Sequence, residues 1–394
     1  MKWIPYVEIR SSATREVIGI IEGAELEFNY NWNGCGDFEI YCRATENNLK
    51  LLKNGYYVTL PNEVDYSDDM GTYCNIWRIQ KVQRQNARIG GRYIIATGKE
   101  AKCIVGNRII RKPATTLVGN LREQIYEKIF APNIINPIIY GDLSTYSNRT
   151  ISNFYFSGNP IDRTIENETQ VSYENILDFT EQLYATYNCG AKLRLNRKDL
   201  GFYYQIYVGT DRSDRVVFSQ ANENILSTDY TEDKSNYKTY VLVGGEGEGL
   251  DRKVLSVEVK GSQSDLVDEN GYTRDVDRYE IFVDANDITS TYKITNESGE
   301  EVDATYEPEV YYGFLRARGY EKQSAEYSIV ESFSGEIDTT NKRYKFNEAY
   351  YLGDLVKIRD NDFGNEKKVQ VSKFTRVQNM EGYKEYFSHE VEEV

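Results

Sequence analysis

Residues 202–208, Phe-Tyr-Tyr-Gln-Ile-Tyr-Val, carry a side-chain pattern that repeats every second position. A period of two places alternate side chains on opposite faces of a strand, whereas a helix repeats every 3.6 residues. The pattern therefore predicts a half-buried β-strand here. One face is formed by Phe202, Tyr204, Ile206 and Val208, and the other by Tyr203, Gln205 and Tyr207.

Aromatic residues are abundant in the whole chain. It contains 34 tyrosines and 15 phenylalanines, and aromatic residues make up 13% of the sequence. Aromatic side chains favour strands, and a tyrosine joins an apolar ring to a polar tip, which suits half-buried sheets and interfaces. The composition predicts a mainly β scaffold. Stacking of exposed tyrosines on carbohydrate is the alternative interpretation.

Residues 1–112 consist of short apolar runs separated by polar turns. Residues 6–9, 17–21 and 36–41 are each predicted to form a strand. Gly90 and Gly91 stand between two longer apolar runs, and a Gly-Gly pair in that position indicates a hairpin. This segment is predicted to be a β domain.

Residues 113–228 have a mixed pattern that begins after Pro113. Apolar residues recur every four positions from Leu117 to Ile129, which predicts one face of a helix that Pro132 ends. A second helix is predicted to start at Ser172 as its N-cap and to end at Gly190 in a left-handed conformation. This segment is predicted to be a mixed α/β domain.

Residues 229–394 return to β patterns after a polar run at 227–238, which is predicted to be a linker. Strands are predicted around 240–243, 255–259, 279–283, 355–358 and 369–371, with one short helix around 311–323 and a turn at 379–382. At about 150 residues per domain, 394 residues correspond to two or three domains. We therefore predict a mainly β (α+β) protein with domains at 1–112, 113–228 and 229–394.

The charge balance restricts the possible partners. The chain has 47 Lys and Arg against 62 Asp and Glu, a net charge of -15. Since this charge repels a phosphate backbone, stable nucleic-acid binding is not expected. The first ten residues lack the apolar segment of a signal peptide, and no run approaches 18 apolar residues, so membrane insertion is not expected either.

Histidine and cysteine usage argues against an enzyme or a metalloprotein. The only histidine is His389, whereas serine- and cysteine-based mechanisms need a positioned imidazole, and zinc sites usually need several His or Cys ligands. The cysteines are odd in number and lack a CxxC spacing, which is typical of free thiols in a reducing cytoplasm. They are Cys35, Cys42, Cys74, Cys103 and Cys189.

Two further motifs are predicted to be structural. The glycine-rich residues 244–249 do not match a phosphate-binding motif, and Glu246 and Glu248 would repel a phosphate, so a connection with positive φ angles is expected. Two acidic clusters do not fit a calcium loop, namely Asp65, Asp68 and Asp69, and Asp360 with Asp362. We predict no catalytic, cofactor-binding or metal-binding residues and no cofactor.

The order of several short strings along about 350 residues resembles the tail hub family of long-tailed bacteriophages, also called baseplate hub or tail-associated proteins. The strings are Val17–Ile21, Gly36–Ile40, Ile76–Ile79, Gly98–Ala101, Arg108–Ile110, Tyr240–Gly247 with Arg252, Arg278–Glu280, Val283–Asp284 and, most tellingly, Tyr-Tyr-Leu-Gly-Asp-Leu-Val at 350–356.

The resemblance implies a homotrimer in which two β-barrel-like domains per subunit build a pseudo-sixfold ring. Such a ring adapts the sixfold tail tube to a threefold tip and forms a conduit for the tape measure protein and DNA. The expected partners are the distal tail protein, the tape measure protein and tip or receptor-binding proteins, in a virion assembled in the bacterial host cytoplasm. The alternatives are a tail-associated cell-wall hydrolase that degrades glycan and a carbohydrate-binding adhesin of the tail tip.

The domain map predicts where a protease cuts first. Loops and linkers with few buried contacts are the usual sites of limited proteolysis. We expect the first cuts within residues 141–170 or 227–238, identified by mass spectrometry of the fragments. Early cuts within 255–259 or 355–358 would contradict the map.

Overall fold

The computed structural model describes residues 4–61, 63–64, 66–87, 91–112, 115–138, 146–295, 301–338, 341, 343–360 and 365–391. Contacts between residues divide the chain into two units. The first contains residues 1–229 and 333–391, and the second contains residues 230–332.

Strands dominate the described residues. They are β1 Tyr6–Arg10, β2 Val17–Glu22, β3 Glu25–Asn31, β4 Asp37–Arg43, β5 Tyr57–Thr59, β6 Tyr66–Asp68, β7 Gly71–Asn75, β8 Trp77–Ala87, β9 Gly91–Glu100, β10 Thr115–Asn120, β11 Phe154–Ser157, β12 Thr164–Val171, β13 Gly190–Asn196, β14 Phe202–Tyr207, β15 Val217–Ser219, β16 Ile225–Asp233, β17 Tyr240–Gly244, β18 Val254–Glu258, β19 Glu280–Asp284, β20 Thr291–Thr295, β21 Glu301–Thr305, β22 Val330–Ile337, β23 Leu355–Asp360, β24 Asn365–Gln370, β25 Lys373–Asn379 and β26 Gly382–Val391.

Helices are fewer and mostly short. The α-helices are α1 Glu46–Leu51, α2 Leu121–Gln124, α3 Ile176–Thr186 and α4 Pro308–Glu326, and α2 continues as a π-helix over Ile125–Ile135. None of the helices in the described ranges is both long and apolar enough to cross a membrane.

The largest sheet of the first unit joins the two ends of the chain. Its eleven strands follow the order β16-β22-β26-β25-β3-β4-β9-β8-β5-β1-β2. At its centre β25 pairs antiparallel with β3, so that Phe374 lies opposite Tyr30. One face of this sheet covers an apolar core in which Phe28 and Trp77 are fully buried.

A second core of the first unit lies under the middle of the chain. Sheet β11-β14-β13-β7-β6 packs on it together with α3 and the π-helix, through residues such as Phe130, Leu183 and Tyr204. The strand predicted at 202–208 is β14, and its burial alternates as the sequence pattern requires. Phe202, Tyr204 and Ile206 are buried in this core.

The second unit is smaller. Sheet β18-β17-β19 carries α4 on one face, where Val241, Val243 and Val257 pack against Tyr311 and Leu315. The hairpin β20–β21 forms a separate two-stranded sheet. The helix predicted around 311–323 is confirmed and extends over the whole of α4.

Two helix predictions are wrong in their bounds. The segment predicted as helical from Leu117 begins as strand β10, and the helix starts only at Leu121, where the Asn120 side chain caps it. Pro132 does not end this helix, because it lies within the wide turns of the π-helix. Proline has no backbone N–H to donate within the helix. Next to it, the side-chain amide of Asn133 donates a hydrogen bond to the Ile129 carbonyl (Nδ2 to O, 2.9 Å).

The caps of the second helix also differ from the prediction. Asn175, not Ser172, caps α3 by accepting from the backbone N–H of Leu177 (2.9 Å). The left-handed residue after α3 is Asn188, with a φ of 48°, and Gly190 instead begins β13. Gly190 is required for a different reason: a Cβ there would overlap the ring of Trp32.

The predicted linker at 227–238 is wrong over most of its length. Residues 225–233 form β16, the terminal strand of the large sheet. Only Ile225 in this strand is buried, so the sequence offered no apolar alternation to detect. Pro113 and Gly90 lie outside the described residues, but β8 and β9 pair as the predicted hairpin.

The mainly β fold class is confirmed. The three predicted domains at 1–112, 113–228 and 229–394 do not coincide with the two contact-defined units, because β25 and β26 join the sheet of β3 and β4. The division into three separable domains stays a prediction. The presence of two β-barrel-like domains stays a prediction as well.

The expectation that all five cysteines are free is wrong for one pair. Cys35 and Cys103 are joined by a disulfide, with their Cα atoms 6.0 Å apart. Cys42, Cys74 and Cys189 are free and buried. The cysteine spacing could not predict the pair, because its members are 68 positions apart in the sequence and the six strands β4 to β9 lie between them, so that only folding brings them together.

Trp32 is the point where distant segments of the first unit meet. Its backbone N–H donates to Ser372 (2.9 Å) and its carbonyl accepts from Ala191 (3.1 Å). Its ring fills the space in which a Cβ on Gly190 or Gly353 would lie. Gly353 belongs to the string at 350–356 and has a φ of 86°, so both its conformation and its surroundings require glycine.

We expect Gly353→Ala to lower the free energy of unfolding by about 1–3 kcal/mol more than Gly23→Ala does. Both glycines have positive φ angles, but nothing lies within 4 Å of a Cβ at Gly23. The difference therefore isolates the overlap with Trp32. Urea unfolding monitored by circular dichroism measures it, and equal losses would show that the Trp32 contact carries no energy.

Candidate assembly surfaces

Edge strand β2 exposes a row of aliphatic side chains. Val17, Ile18 and Ile20 are 46%, 43% and 38% exposed. Within the described part of the chain β2 has a hydrogen-bonded neighbour, β1, on one side only. An apolar edge strand is a template for pairing with another chain. This surface, Val17–Ile20 on β2, is the first candidate assembly surface.

The register of β2 explains why Ile18 and Ile20 face away from the core, whereas Val17 lies beyond the register shift in the pairing with β1. Val7 pairs with Ile21, and Ile9 pairs with Gly19. Ile21 is buried in the first core, and a Cβ on Gly19 would overlap the side chain of Leu51. Because Gly19 and Ile21 face inward, the alternation of the strand places Ile18 and Ile20 on the other face.

The face of the large sheet opposite the core carries charges of both signs. On β4 and β9, Asp37 lies opposite Lys99, and Glu39 lies opposite Thr97. Thr97 also lies opposite Lys81 on β8, so Lys81, Thr97 and Glu39 follow one another across three neighbouring strands. These side chains are exposed or half-buried. Basic Lys81 and Lys99 therefore lie on β8 and β9, acidic Asp37 and Glu39 lie on the neighbouring β4, and the face carries both charges.

The second unit exposes an aromatic and arginine-rich face. Phe282 and Val254 are each 49% exposed on the side of sheet β18-β17-β19 away from α4. The Arg252 guanidinium lies 5.1 Å from the ring centroid of Phe282, and that of Arg278 lies 4.0 Å from the ring centroid of Tyr240. Aromatic residues and arginine are enriched in the energetically dominant parts of protein interfaces. This is the second candidate assembly surface.

A buried ion cluster supports the first unit beneath β25. Arg376 Nη1 donates to Glu63 Oε1 (2.7 Å) and to the Tyr30 hydroxyl (3.1 Å), and its Nε lies 3.5 Å from Glu385 Oε1. The three charged side chains are at most 10% exposed. Burial by itself lowers the pKa of Arg376, but Tyr30 and Glu63 raise that pKa well above its ordinary value, so the guanidinium stays charged.

A cavity of about 140 Å³ adjoins this cluster. Its polar lining comes from Glu63, Asn347, Glu348, Arg376 and Tyr383. Among the described residues, Glu63 Oε2 and Asn347 Nδ2 have no hydrogen-bond partner. A cavity of this size with polar walls is suited to several buried waters.

The structure places the sequence-predicted motifs in structural roles. Residues 244–249 connect β17 to β18 with positive φ angles at Gly247 and Gly249, as predicted. Glu246 accepts from the N–H and hydroxyl of Ser290, and these hydrogen bonds lower the pKa of Glu246. Asp68 accepts from the backbone N–H groups of Met70 and Gly71.

The remaining candidates for chemistry are not brought together. His389 lies in β26, while Asp65 and Asp362 lie outside the described residues. In the described ranges no three His, Cys, Asp or Glu side chains are grouped so that they could hold a metal ion. Sequence reasoning missed both candidate assembly surfaces, although the apolar residues 17–21 had been predicted to form a strand.

Comparisons with known proteins give one family and a set of similar folds. A family model described as Siphovirus ReqiPepy6 Gp37-like protein matches residues 6–386. A search of curated protein sequences gives no match.

Among solved structures, the chain is similar to the tail protein from Neisseria meningitidis MC58, with a TM-score of 0.50 and 10% identity over 98% of this chain and 96% of that one. It is also similar to the 43 kDa tail protein of prophage MuSo2 from Shewanella oneidensis, with a TM-score of 0.49 and 12% identity over 98% of each chain. A third is the prophage tail protein gp18 from Listeria monocytogenes EGD-e, with a TM-score of 0.45 and 12% identity over 97% of this chain and 94% of that one. At this level of identity, the Neisseria match shows a shared fold.

We expect Arg376→Met to lower the free energy of unfolding by about 3–5 kcal/mol, because it leaves Glu63 and Glu385 buried without a counter-charge. Chemical denaturation measures this loss. Arg359→Met is the matched control, since Arg359 pairs with Glu366 on the adjacent strand and these side chains are 49% and 40% exposed. It is expected to cost less than about 1 kcal/mol. Similar losses in the two variants would contradict the structural role of the buried cluster.

Proposed function

Since the chain belongs to the Siphovirus ReqiPepy6 Gp37-like protein family, we propose that it is the hub ring of a phage tail tip. Family and fold support a structural component of a phage tail. The proposed hub is a homotrimer with two β-barrel-like domains per subunit, which adapts the sixfold tail tube to a threefold tip. It acts as a structural protein and not as an enzyme.

The main observation in support of a ring is the exposed apolar edge of β2. Val17, Ile18 and Ile20 are exposed in the single chain although all three are aliphatic. A neighbouring subunit that covers this edge would bury the aliphatic side chains and satisfy the free backbone groups of the strand. Contact between this edge and a different surface of the next subunit is a head-to-tail contact, which closes into a ring when the rotation between subunits allows it.

The polar face of the large sheet supports the conduit. Asp37 opposite Lys99, and the row from Glu39 to Lys81, give this face both charges at short spacing. If it lines the channel, neither a tape measure protein nor DNA meets a wall of one sign. A strongly basic wall would instead retain the phosphate backbone. The proposal therefore includes a neutral or acidic lumen and no stable nucleic-acid binding.

The second assembly surface supports contacts with other tail proteins. Phe282 with Arg252, and Tyr240 with Arg278, provide the residue types that bind partner proteins most strongly. We assign this face to the distal tail protein, the tape measure protein or a tip or receptor-binding protein. In this proposal the ring is assembled in the bacterial host cytoplasm and becomes part of the virion tail.

We expect three copies of the chain in a purified tail tip, so that the assembled ring has about three times the mass of 45.6 kDa. Ile18→Lys should weaken assembly at least about tenfold, because it puts a charge into a contact that buries the edge of β2. Native mass spectrometry of the tip complex and light scattering at micromolar concentration measure both effects. One copy per tip would contradict the proposal.

Val118→Lys is the matched control. Val118 is a strand residue with the same 46% exposure as Val17, but it lies on β10. Both lysine variants should fold with the stability of the wild type, since substitutions of exposed residues usually change stability by less than about 0.5 kcal/mol. An assembly defect of equal size in both variants would contradict the assignment of the interface to β2.

A further inference from the structure

The disulfide joins two segments that the sheet already holds together. Cys35 lies in the loop between β3 and β4, and Cys103 lies in a 3-10 segment, Ala101–Asn107, that follows β9. β4 pairs with β9, and just beyond that pairing the Glu100 N–H donates to the Gly36 carbonyl (2.9 Å). The Gly36 N–H donates in turn to Glu100 Oε2 (2.8 Å).

These hydrogen bonds lie next to the cysteine pair and do not involve the sulfur atoms. Because the β4–β9 pairing and the two hydrogen bonds between Gly36 and Glu100 hold the flanking residues together, we expect the two cysteines, whose Cα atoms are 6.0 Å apart, to stay close in the reduced protein as well. That separation lies within the range that a disulfide accepts. The bond can therefore form or break without moving the strands.

The pair differs from the other three cysteines in exposure. Cys35 and Cys103 are half-buried, whereas Cys42, Cys74 and Cys189 are buried. Burial raises the pKa of the Cys42 and Cys74 thiols to about 11 and that of Cys189 to about 12. Since the thiolate is the reactive form, these three thiols are protected from oxidants and alkylating agents. Oxidation is thereby directed to one pair out of five cysteines.

The loop that the bond fixes contacts both cores of the first unit. Trp32 in this loop contacts residues of both cores, as described above. Next to Cys103, the Lys102 ammonium group donates to the carbonyls of Asn31 and Ala191. A covalent bond between Cys35 and Cys103 would hold this junction closed when the noncovalent contacts open transiently.

We propose that Cys35 and Cys103 are a redox lock, which is a dithiol while the chain is in the reducing cytoplasm and becomes a disulfide after the particle leaves the cell. The change from a reducing to an oxidising environment rests on the proposed function, in which the chain leaves the cell as part of a particle. The choice of Cys35 and Cys103 rests on the geometry of the structure. Disulfides persist in oxidising surroundings and are rare in the cytosol.

The reaction is a thiol–disulfide exchange with an oxidised low-molecular-weight disulfide, such as oxidised glutathione. One cysteine thiolate attacks the reagent, forms a mixed disulfide and releases the first small thiol. The second cysteine thiolate then attacks the protein sulfur of the mixed disulfide and releases the second small thiol. Two protein thiols are oxidised, one small disulfide is reduced to two thiols, and the two protons end on those thiols.

Alkylation of the full-length chain tests the lock. Cells that produce the chain in a bacterial cytoplasm are lysed in denaturant with N-ethylmaleimide, and mass spectrometry counts the labels. We expect five labels at this stage, and two labels, at Cys35 and Cys103, when the reduced protein is labelled in its native state. After incubation with oxidised glutathione and removal of the reagent, labelling in denaturant should give three labels.

Thermal unfolding measures what the bond does. The closed loop spans 68 residues, so the oxidised protein is expected to unfold about 5–10 °C above the reduced protein. Cys35→Ser should abolish this difference, whereas Cys42→Ala, the matched control in the same unit, should retain it. Adding a reductant to the oxidised wild type should reverse the shift, which tests the bond without a substitution.

Three results would overturn the lock. They are three labels already in the cytoplasmic sample, five labels after oxidation, and equal unfolding temperatures of the two redox forms. The assay uses the isolated chain, so its outcome is separate from that of the copy number in the tail tip. A chain that switches but forms no ring would contradict only the proposed function, and a ring subunit that fails these tests would contradict only the lock.

Discussion

The antiparallel pairing of β3 with β25 is the constraint on which the first unit depends. It joins residues 25–31 to residues 373–379, and Thr375 donates to Asn29 across 346 residues of sequence (2.6 Å). The Arg376 ion cluster and the aromatic core around Tyr30 exist only once this pairing has formed. Because so long a loop must close first, folding of this unit is expected to be slow compared with that of proteins rich in local contacts.

The sequence predicted the strands well where one face is buried. β14 and the hairpin β8–β9 follow from alternation and from glycine at the turn, because side-chain period and burial agree there. β16 was missed because it buries only its first residue and therefore has no apolar period. The helix bounds failed where local signals competed with tertiary packing: Gly190 marks the position of the Trp32 ring, not the end of a helix.

The candidate assembly surfaces show a different limit of sequence reasoning. The string at 17–21 was predicted as a strand, and aliphatic residues in a strand are ordinarily assigned to the core. Only the strand register distinguishes Ile21, which is buried, from Ile18 and Ile20, which are exposed. The prediction that no residue carries catalysis came from counts of histidine and cysteine, and such counts contain no information about which surface binds a partner.

The distribution of charge connects the structure with the proposed conduit. The net charge of -15 could by itself reflect only solubility. On the sheet face away from the core, however, basic Lys81 and Lys99 on β8 and β9 lie close to acidic Asp37 and Glu39 on β4, so these four residues together add no net negative charge to that face. A channel wall of this kind would attract neither a passing polypeptide nor DNA by long-range electrostatics, since opposite charges at short spacing cancel within a Debye length. In the proposed conduit, the mixed charge of that face would therefore matter more for passage than the net charge of the chain.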